Sequence, residues 1–227
     1  MDAPIKPSRD DKNSFLSDKE LEKIVKEHSD KNHDTVNKLE GFYEIFEKAE
    51  KSERYDLLYM ISKYMGTCYE TNGYYDKALH YLSIALDSLK KYDTSNNEDQ
   101  IIILEKIGNI YLSQKNDYEK ALEAYLEAQK VAHDNNMVNE EISLLIEIGL
   151  VFKNIDLHEK SLYYFNQSIE LNKISGNRGD IITPLDEIGN ILVLKKKPEK
   201  ALKYYNKAFK IAEKTDSPNH IARLAHK

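Results

Sequence analysis

The stretch that decides the fold is IGNIYLSQKNDYEKALEAYLEA, residues 107–128. Gly108 stands three residues before Tyr111, a polar turn follows at Lys115-Asn116-Asp117, and then come Ala121, Tyr125 and Ala128 at spacings of four and three. Apolar and small residues three and four apart lie on one face of a helix. The stretch therefore reads as helix, turn, helix, with small residues where the two helices approach each other.

The unit recurs. Met65-Gly66, Tyr69, Ala78, Leu82 and Ala85 form one copy. Ile148-Gly149, Phe152, Ser161, Phe165 and Ser168 form another, and Ile188-Gly189, Leu192, Ala201, Tyr205 and Ala208 a fourth. The four glycines are 42, 41 and 40 residues apart, and they are half of the chain's eight. The step from glycine to the first small residue of the second helix is 12 in three copies and 13 in the copy with Gly108. A glycine inside a helix is about 1 kcal/mol worse than alanine, so four in one slot require a packing reason: without a side chain the partner helix can come close.

The order Leu/Ile-Gly-x-x-Tyr followed by Ala-x-x-x-Phe/Tyr-x-x-Ala resembles the tetratricopeptide repeat, whose usual period is about 34 residues. The extra residues amount to about two helical turns, and the repeat's usual tryptophan slot holds Ser62, Leu104, Leu145 and Leu185. The longer period is similar to that of repeats in bacterial sensor kinases, peptide-responsive regulators and kinesin light chains. The resemblance covers residues 52–215. It implies an all-α fold, a right-handed superhelical solenoid of antiparallel helix pairs, and a protein- or peptide-binding role in sensing or scaffolding within a larger bacterial signalling protein.

The rest of the chain fits around these copies. Residues 1–16 read as a disordered lead. Residues 17–51 read as a helical pair, a degenerate repeat or cap: Ser17 and Glu20 have capping-box spacing, and Leu39, Phe42, Tyr43 and Phe46 recur at helical spacing. First helices are expected near 53–71, 97–114, 138–154 and 180–195, and second helices near 74–91, 118–133, 157–174 and 198–214. Asn72-Gly73 should break the first pair, Asp117 and Asp156 should cap the helices that follow them, and Pro198 suits a first helical position. Pro184 either starts its helix, with Thr183 as cap, or distorts the first turn. Residues 216–227 read as the opening of a further first helix, cut short, which suggests a fragment of a longer protein.

Composition narrows the function. Net charge is −6 with 32 % charged residues, and no stretch stands out as the clustered basic surface that nucleic-acid binding needs. Cys68 is the only cysteine and reads as a small packing residue. The longest strongly apolar run, Ile101 to Leu104, is far short of the ~20 residues that span a bilayer, and the first residues lack the apolar core of a signal peptide; the expected compartment is the cytoplasm. No catalytic or cofactor constellation is found. His158-Glu159 begins like a zinc-protease motif but Leu162 stands where the second histidine belongs, and the Gly176–Gly179 run lacks the third glycine of a dinucleotide fingerprint. Arg178-Gly179-Asp180 and the sequon at Asn166 are read as turn and helix. The sixteen tyrosines are read mainly as core. No enzyme activity, cofactor or metal is expected.

The candidate site is the groove that, in the resembled family, is lined by first helices. Positions six and three before each glycine, and one and four after it, form a stripe. On the first copy the stripe is Met60, Lys63, Thr67 and Glu70, and on the second Ile102, Glu105, Asn109 and Leu112. On the third it is Ser143, Ile146, Leu150 and Lys153, and on the fourth Thr183, Asp186, Asn190 and Val193. In the resembled family an asparagine just after the glycine often bonds a peptide backbone, which Asn109 and Asn190 would do here; the alternative is that they bond neighbouring helices. The stripe is not basic enough for the family's carboxylate-gripping version. Its apolar middle and its acids suit a partner with apolar anchors and a lysine or arginine. Two other readings remain: self-association through an exposed C-terminal face around Leu202, Tyr205, Phe209 and Ile211, and a response-regulator phosphatase, for which the residues before Ser52 are few.

Overall fold

The computed structural model describes residues 39–176, 181–215 and 217–225. The lead, the capping-box helix expected at Ser17 and the Arg178–Asp180 turn lie outside the described residues. Within them there are ten α-helices and one π-helical turn, and no strand. Helix α1 is Glu40–Lys51. Four pairs follow: α2 (Tyr55–Thr71) with α3 (Tyr75–Tyr92), α4 (Asn97–Ile110) with α5 (Tyr118–Asp134), α6 (Val138–Asn154) with α7 (His158–Ser175), and α8 (Ile182–Leu194) with α9 (Pro198–Lys214). Helix α10, Pro218–Leu224, closes the described chain. Short turns make each pair antiparallel, and successive pairs stack into a solenoid.

Each pair is held by one crossing. A Cβ added at Gly66 would lie 2.8 Å from Leu82, at Gly108 2.6 Å from the Tyr125 ring, at Gly149 2.6 Å from the Phe165 ring, and at Gly189 2.3 Å from the Tyr205 ring. The partner side chain occupies the volume that any other residue would need. Around the crossing, Ala78, Ala121, Ala128, Ala201 and Ala208 are fully buried or nearly so, and Ser161, standing where the other copies have alanine, satisfies its hydroxyl by donating to the Gly149 carbonyl at 2.8 Å.

The turns show how the 13-residue step is absorbed. The chain leaves α2, α6 and α8 in a Schellman arrangement: Tyr74, Leu157 and Lys197 donate their N–H groups to the carbonyls of Tyr69, Phe152 and Leu192, each at 2.9 Å and five residues back. After α4 the matching bond runs from Asp117 to Tyr111, also 2.9 Å but six residues back, and Tyr111–Lys115 is wound as a π turn. One extra residue widens one turn, so Ala121 and Tyr125 still reach Gly108. The residue before each of these donors takes a left-handed conformation: Gly73 (φ 79°), Asn116 (51°), Asp156 (58°) and Lys196 (56°).

Two local expectations hold and two change. Asp117 caps α5 by accepting the Lys120 N–H at 3.2 Å, as expected. Asp156 does not cap α7: it is spent on the left-handed position, Leu157 is the capping residue, and no side chain caps that end. Pro198 takes a first-turn position of α9, as expected. Helix α8 begins at Ile182, ahead of Pro184, and no side chain caps it. Pro184 sits within the first turn, where the N–H it lacks would have had no intrahelical partner, and α8 has 13 residues against 17 in α2 and α6.

Both ends of the stack are covered. Leu39, just before α1, and Phe42 and Ala49 of α1 are buried against the first pair, with Phe42 4.9 Å from Tyr64 and Phe46 edge-on to Tyr81 at 5.6 Å between ring centres. At the other end, α10 lies on α9. Leu224 is 5 % exposed, and Ile221 packs in one cluster with Phe209 and Ile211. This corrects the open C-terminal face inferred from sequence: Tyr205 is buried, Phe209 and Ile211 are half-buried, and of that patch Leu202 alone is exposed.

The crossing makes a sharp prediction. Gly189→Ala gains helix propensity yet forces a methyl against the buried Tyr205 ring, so chemical denaturation should show a loss of about 1–3 kcal/mol; a variant more stable than the parent would contradict the packing. Lys196→Gly, relieving a left-handed lysine, should gain about 1 kcal/mol in the same measurement.

Candidate functional site

The first helices α2, α4, α6 and α8 are laid side by side, and polar contacts between them follow one register. The residue four after one glycine meets the residue two before the next. Glu70 of α2 accepts from Lys106 of α4 at 2.6 Å, and Glu187 of α8 accepts from Lys153 of α6 at 2.8 Å. At the α2–α4 junction Lys63 adds a second ion pair with Asp99, which Tyr59 also bonds. These pairs are partly exposed, and such pairs are worth about 0–1 kcal/mol each; they set alignment more than stability.

The central junction breaks the pattern. Its two positions hold Leu112 and Glu147, so the carboxylate is present and its lysine is not. Glu147 is half-buried, and Glu105 lies close enough to repel it. Burial pushes the Glu147 carboxyl above the ordinary range, and the Glu105 charge adds to this. Glu105 is raised in turn by burial and by Glu140. The Tyr125 hydroxyl is raised as well, first by burial and then by Glu147 and Glu105. The contrast is Asp99: burial raises it, but bonds from Lys63 and Tyr59 outweigh that and leave it below the usual carboxylate range.

Asn109 and Asn190 do more than face a groove. Tyr125 donates its hydroxyl proton to Asn109 Oδ1 at 2.6 Å, and Tyr205 donates to Asn190 Oδ1 at 3.0 Å. The aromatic residue that fills the glycine slot thus reaches through to the residue beside that glycine. The other two copies carry Thr67 with Leu82 and Leu150 with Phe165, and have neither the asparagine nor the tyrosine hydroxyl. The pairing of asparagine with tyrosine was legible in the sequence and is missed when first helices are read alone. The Asn190 amide donates to Glu187 at 3.0 Å. Asn109 is exposed, and among the described residues its amide nitrogen has no partner. It borders a cleft of about 300 Å³ that also includes Glu70, Lys106, Tyr75 and Gln114.

The stripe divides. Met60, Lys63, Thr67, Glu70, Ile102, Glu105, Leu112, Leu150, Lys153, Thr183 and Asn190 are partly exposed, and Asn109, Ser143 and Val193 are exposed. Ile146 and Asp186 are not surface groups. Ile146 is 5 % exposed in the core cluster that includes Ile142 and Ile182, and Asp186 is 1 % exposed and paired with Arg223 of α10 at 3.1 Å. The reason is common to both. The position three before the glycine points along the stack to the next element, as Lys63 does toward Asp99, so a following helix covers it. Cys68 is buried, and burial pushes its thiol up, in keeping with a packing role. Among the described residues no group of three or more His, Cys, Asp or Glu is placed to hold a metal ion, and no helix is long and apolar enough to cross a membrane.

The raised carboxyls have a pH signature. The folded state holds the Glu147 proton more tightly than the unfolded chain does, so its charge opposes folding above the folded pKa, and the penalty is gone below the ordinary glutamate pKa. Glu147→Gln should therefore raise the melting temperature at neutral pH, with the gain shrinking to nothing as pH falls. Asp99→Asn should lower it at neutral pH, with the loss fading in acid as the native carboxylate takes up its proton. Equal gains from Glu147→Gln at all pH values would remove the repulsive contact from the account.

Comparison with known proteins agrees with the architecture. The tetratricopeptide repeat family matches residues 57–132 and residues 185–215. No curated protein sequence matches significantly. Among solved structures, the apo form of RapI superposes with a TM-score of 0.70 at 16 % identity, over 89 % of this chain and 72 % of that one. A signal transduction ATPase with numerous domains, carrying a tetratricopeptide repeat sensor, from Pyrococcus horikoshii gives 0.64 at 22 % identity over 80 % of this chain and 28 % of its own. A Rap protein complexed with competence and sporulation factor gives 0.55 at 16 % identity, over 90 % and 54 %. At these identities the likeness is one of fold. The chain has the fold of a tetratricopeptide-repeat solenoid: the repeat pattern matches its first two helix pairs and its fourth, and the third repeats the same packing between them.

Proposed function

We propose that the chain binds a peptide or protein segment along its first-helix face, with a lysine or arginine of the ligand at the junction between α4 and α6. One observation carries this reading. The two outer first-helix junctions each pair an acid with a lysine, whereas the central one presents Glu147 and Glu105 with no cation among the described residues. A ligand cation there completes the series and relieves a repulsion that the free protein bears. The unpartnered Asn109 amide can donate to a ligand backbone carbonyl, and Ile102, Leu112 and Leu150, all half-buried, offer apolar footing on the same helices.

The fold likeness to a Rap protein that holds competence and sporulation factor supports a peptide as the ligand class. The likeness to the sensor-bearing ATPase, of which this chain spans 28 %, supports a sensing or scaffolding segment within a larger signalling protein. The second reading, pairing of two copies through the C-terminal face, is disfavoured by α10, which lies on that face.

Selection from a random peptide display library, followed by affinity measurements on the enriched sequences, tests the proposal. Enriched peptides should share a basic residue flanked by apolar ones. Glu105→Gln/Glu147→Gln should weaken them about tenfold or more, and Asn109→Ala by about 1 kcal/mol, with Asn190→Ala, whose amide is already engaged by Glu187, costing less. Enriched peptides lacking basic residues, or affinity unchanged in the double glutamine variant, would sink it.

A further inference from the structure

The outer helix of the last pair has a charge unlike the rest of the chain. Residues 195–214 contain eight lysines and two glutamates, a net +6 inside a chain of net −6, which leaves −12 elsewhere. The expectation that no stretch gathers basic residues fails here. Lys200, Lys203, Lys207, Lys210 and Lys214 recur at spacings of three and four, and all five are exposed. The opposite face of α9, with Ala201, Tyr205, Ala208 and Ala212, is the buried one. The row therefore runs straight along the outside of the helix for about 21 Å.

These lysines differ from six others on the chain. Lys63, Lys90, Lys106, Lys115, Lys153 and Lys195 each meet a carboxylate of a neighbouring element. No member of the α9 row has a carboxylate within ion-pair reach among the described residues. Lys207 instead lies 5.4 Å from the centre of the Tyr204 ring. Lys200, Lys203, Lys207 and Lys210 line a shallow groove of about 570 Å³ together with Tyr204 and Asn206. Lysine stems and a tyrosine ring give it an apolar floor beneath a charged rim.

We propose that this face of α9 docks an acidic helix of a partner protein, its glutamates or aspartates repeating every three and four residues to meet the lysine row. The spacing selects a helix. Lysines come every ~5.2 Å along α9, whereas side chains on one side of an extended strand come every ~6.7 Å, so a strand slips out of step by about 6 Å across the row. The surroundings select a short partner. A long polyanion such as a nucleic acid extends beyond this segment, and the residues outside 195–214 carry a net −12, whose charges act over about 8 Å at physiological salt. The row also lacks arginine, the residue suited to bidentate phosphate contacts.

Fluorescence anisotropy with the full chain tests this. The probe is a labelled helix-forming peptide of alanine, glutamine and glutamate, with glutamates at the three-four spacing. The comparisons are a scrambled peptide of the same composition, a single-stranded DNA of equal charge, and vesicles of phosphatidylcholine with phosphatidylserine. The patterned peptide should bind about tenfold tighter than the scrambled one, and Lys203→Gln/Lys207→Gln/Lys210→Gln should lower its affinity about tenfold or more. Lys90→Gln, and Glu147→Gln on the other face, should leave it unchanged, which separates this surface from the proposed peptide groove. All five row lysines are exposed, so melting curves of the variants should match the parent; if the triple variant is destabilised, Lys200→Gln/Lys214→Gln gives the same readout from the ends of the row. No binding of the patterned peptide, equal binding of the scrambled peptide, tighter binding of DNA or vesicles, or unchanged affinity in the lysine variants would overturn the proposal.

Discussion

The structure depends on a steric constraint: at four places a first helix must carry no side chain, because a leucine, tyrosine or phenylalanine of its partner fills that space. The constraint works in two directions. It fixes how close the helices of a pair come, and it fixes their axial alignment, since the large residue has only one gap to enter. Once each pair is locked this way, the outward positions of successive first helices repeat at constant height. The ion pairs between Glu70 and Lys106 and between Lys153 and Glu187 fall in the same register for that reason. The weak electrostatics follow the strong packing.

The copy with Gly108 shows which of two demands is the stiffer. Its extra residue could have shifted α5 along α4 and moved Tyr125 off the glycine. Instead the chain widens one turn at Tyr111–Lys115 and keeps the crossing. A π turn is an uncommon conformation, yet it disturbs one turn only, whereas a displaced tyrosine would leave a void or a clash in the core, worth about 3–5 kcal/mol for an aromatic side chain lost from packing. The irregular element is where the sequence mismatch is stored.

Much of this was legible before coordinates. The glycine and alanine phases placed all eight paired helices to within a few residues, because four copies had to satisfy one packing rule. What escaped the sequence depends on neighbours that no single helix reveals. Asp186 and Ile146 read as groove residues because they sit on the correct helical stripe; they are buried because that position faces the next element along the stack. The C-terminal patch reads as open when α9 is considered alone, whereas Leu224 and Arg223 of α10 cover what lies beneath. Asp156 looked like a cap, but the left-handed position needed a residue, and asparagine and aspartate tolerate it better than most. The lysine row of α9 was in plain view at three-four spacing and was hidden by a net charge averaged over the whole chain.

The asparagine–tyrosine pairs show why the core and the candidate site cannot be treated apart. Tyr125 and Tyr205 fill glycine slots by their rings and reach the first-helix face by their hydroxyls. The hydroxyl takes the asparagine oxygen, so the amide nitrogen is the group left to meet something else. At Asn190 that something is Glu187, already held by Lys153, and the local network is closed within the chain. At Asn109 no such carboxylate arrives, and a half-buried acid on the next helix waits without a lysine. The two copies of one structural device thus differ in the charged groups around the asparagine amide, with Lys106 where the other has Glu187 and Leu112 at the position that Lys153 holds on α6, and on the proposed reading that difference makes the Asn109 face the place for a ligand.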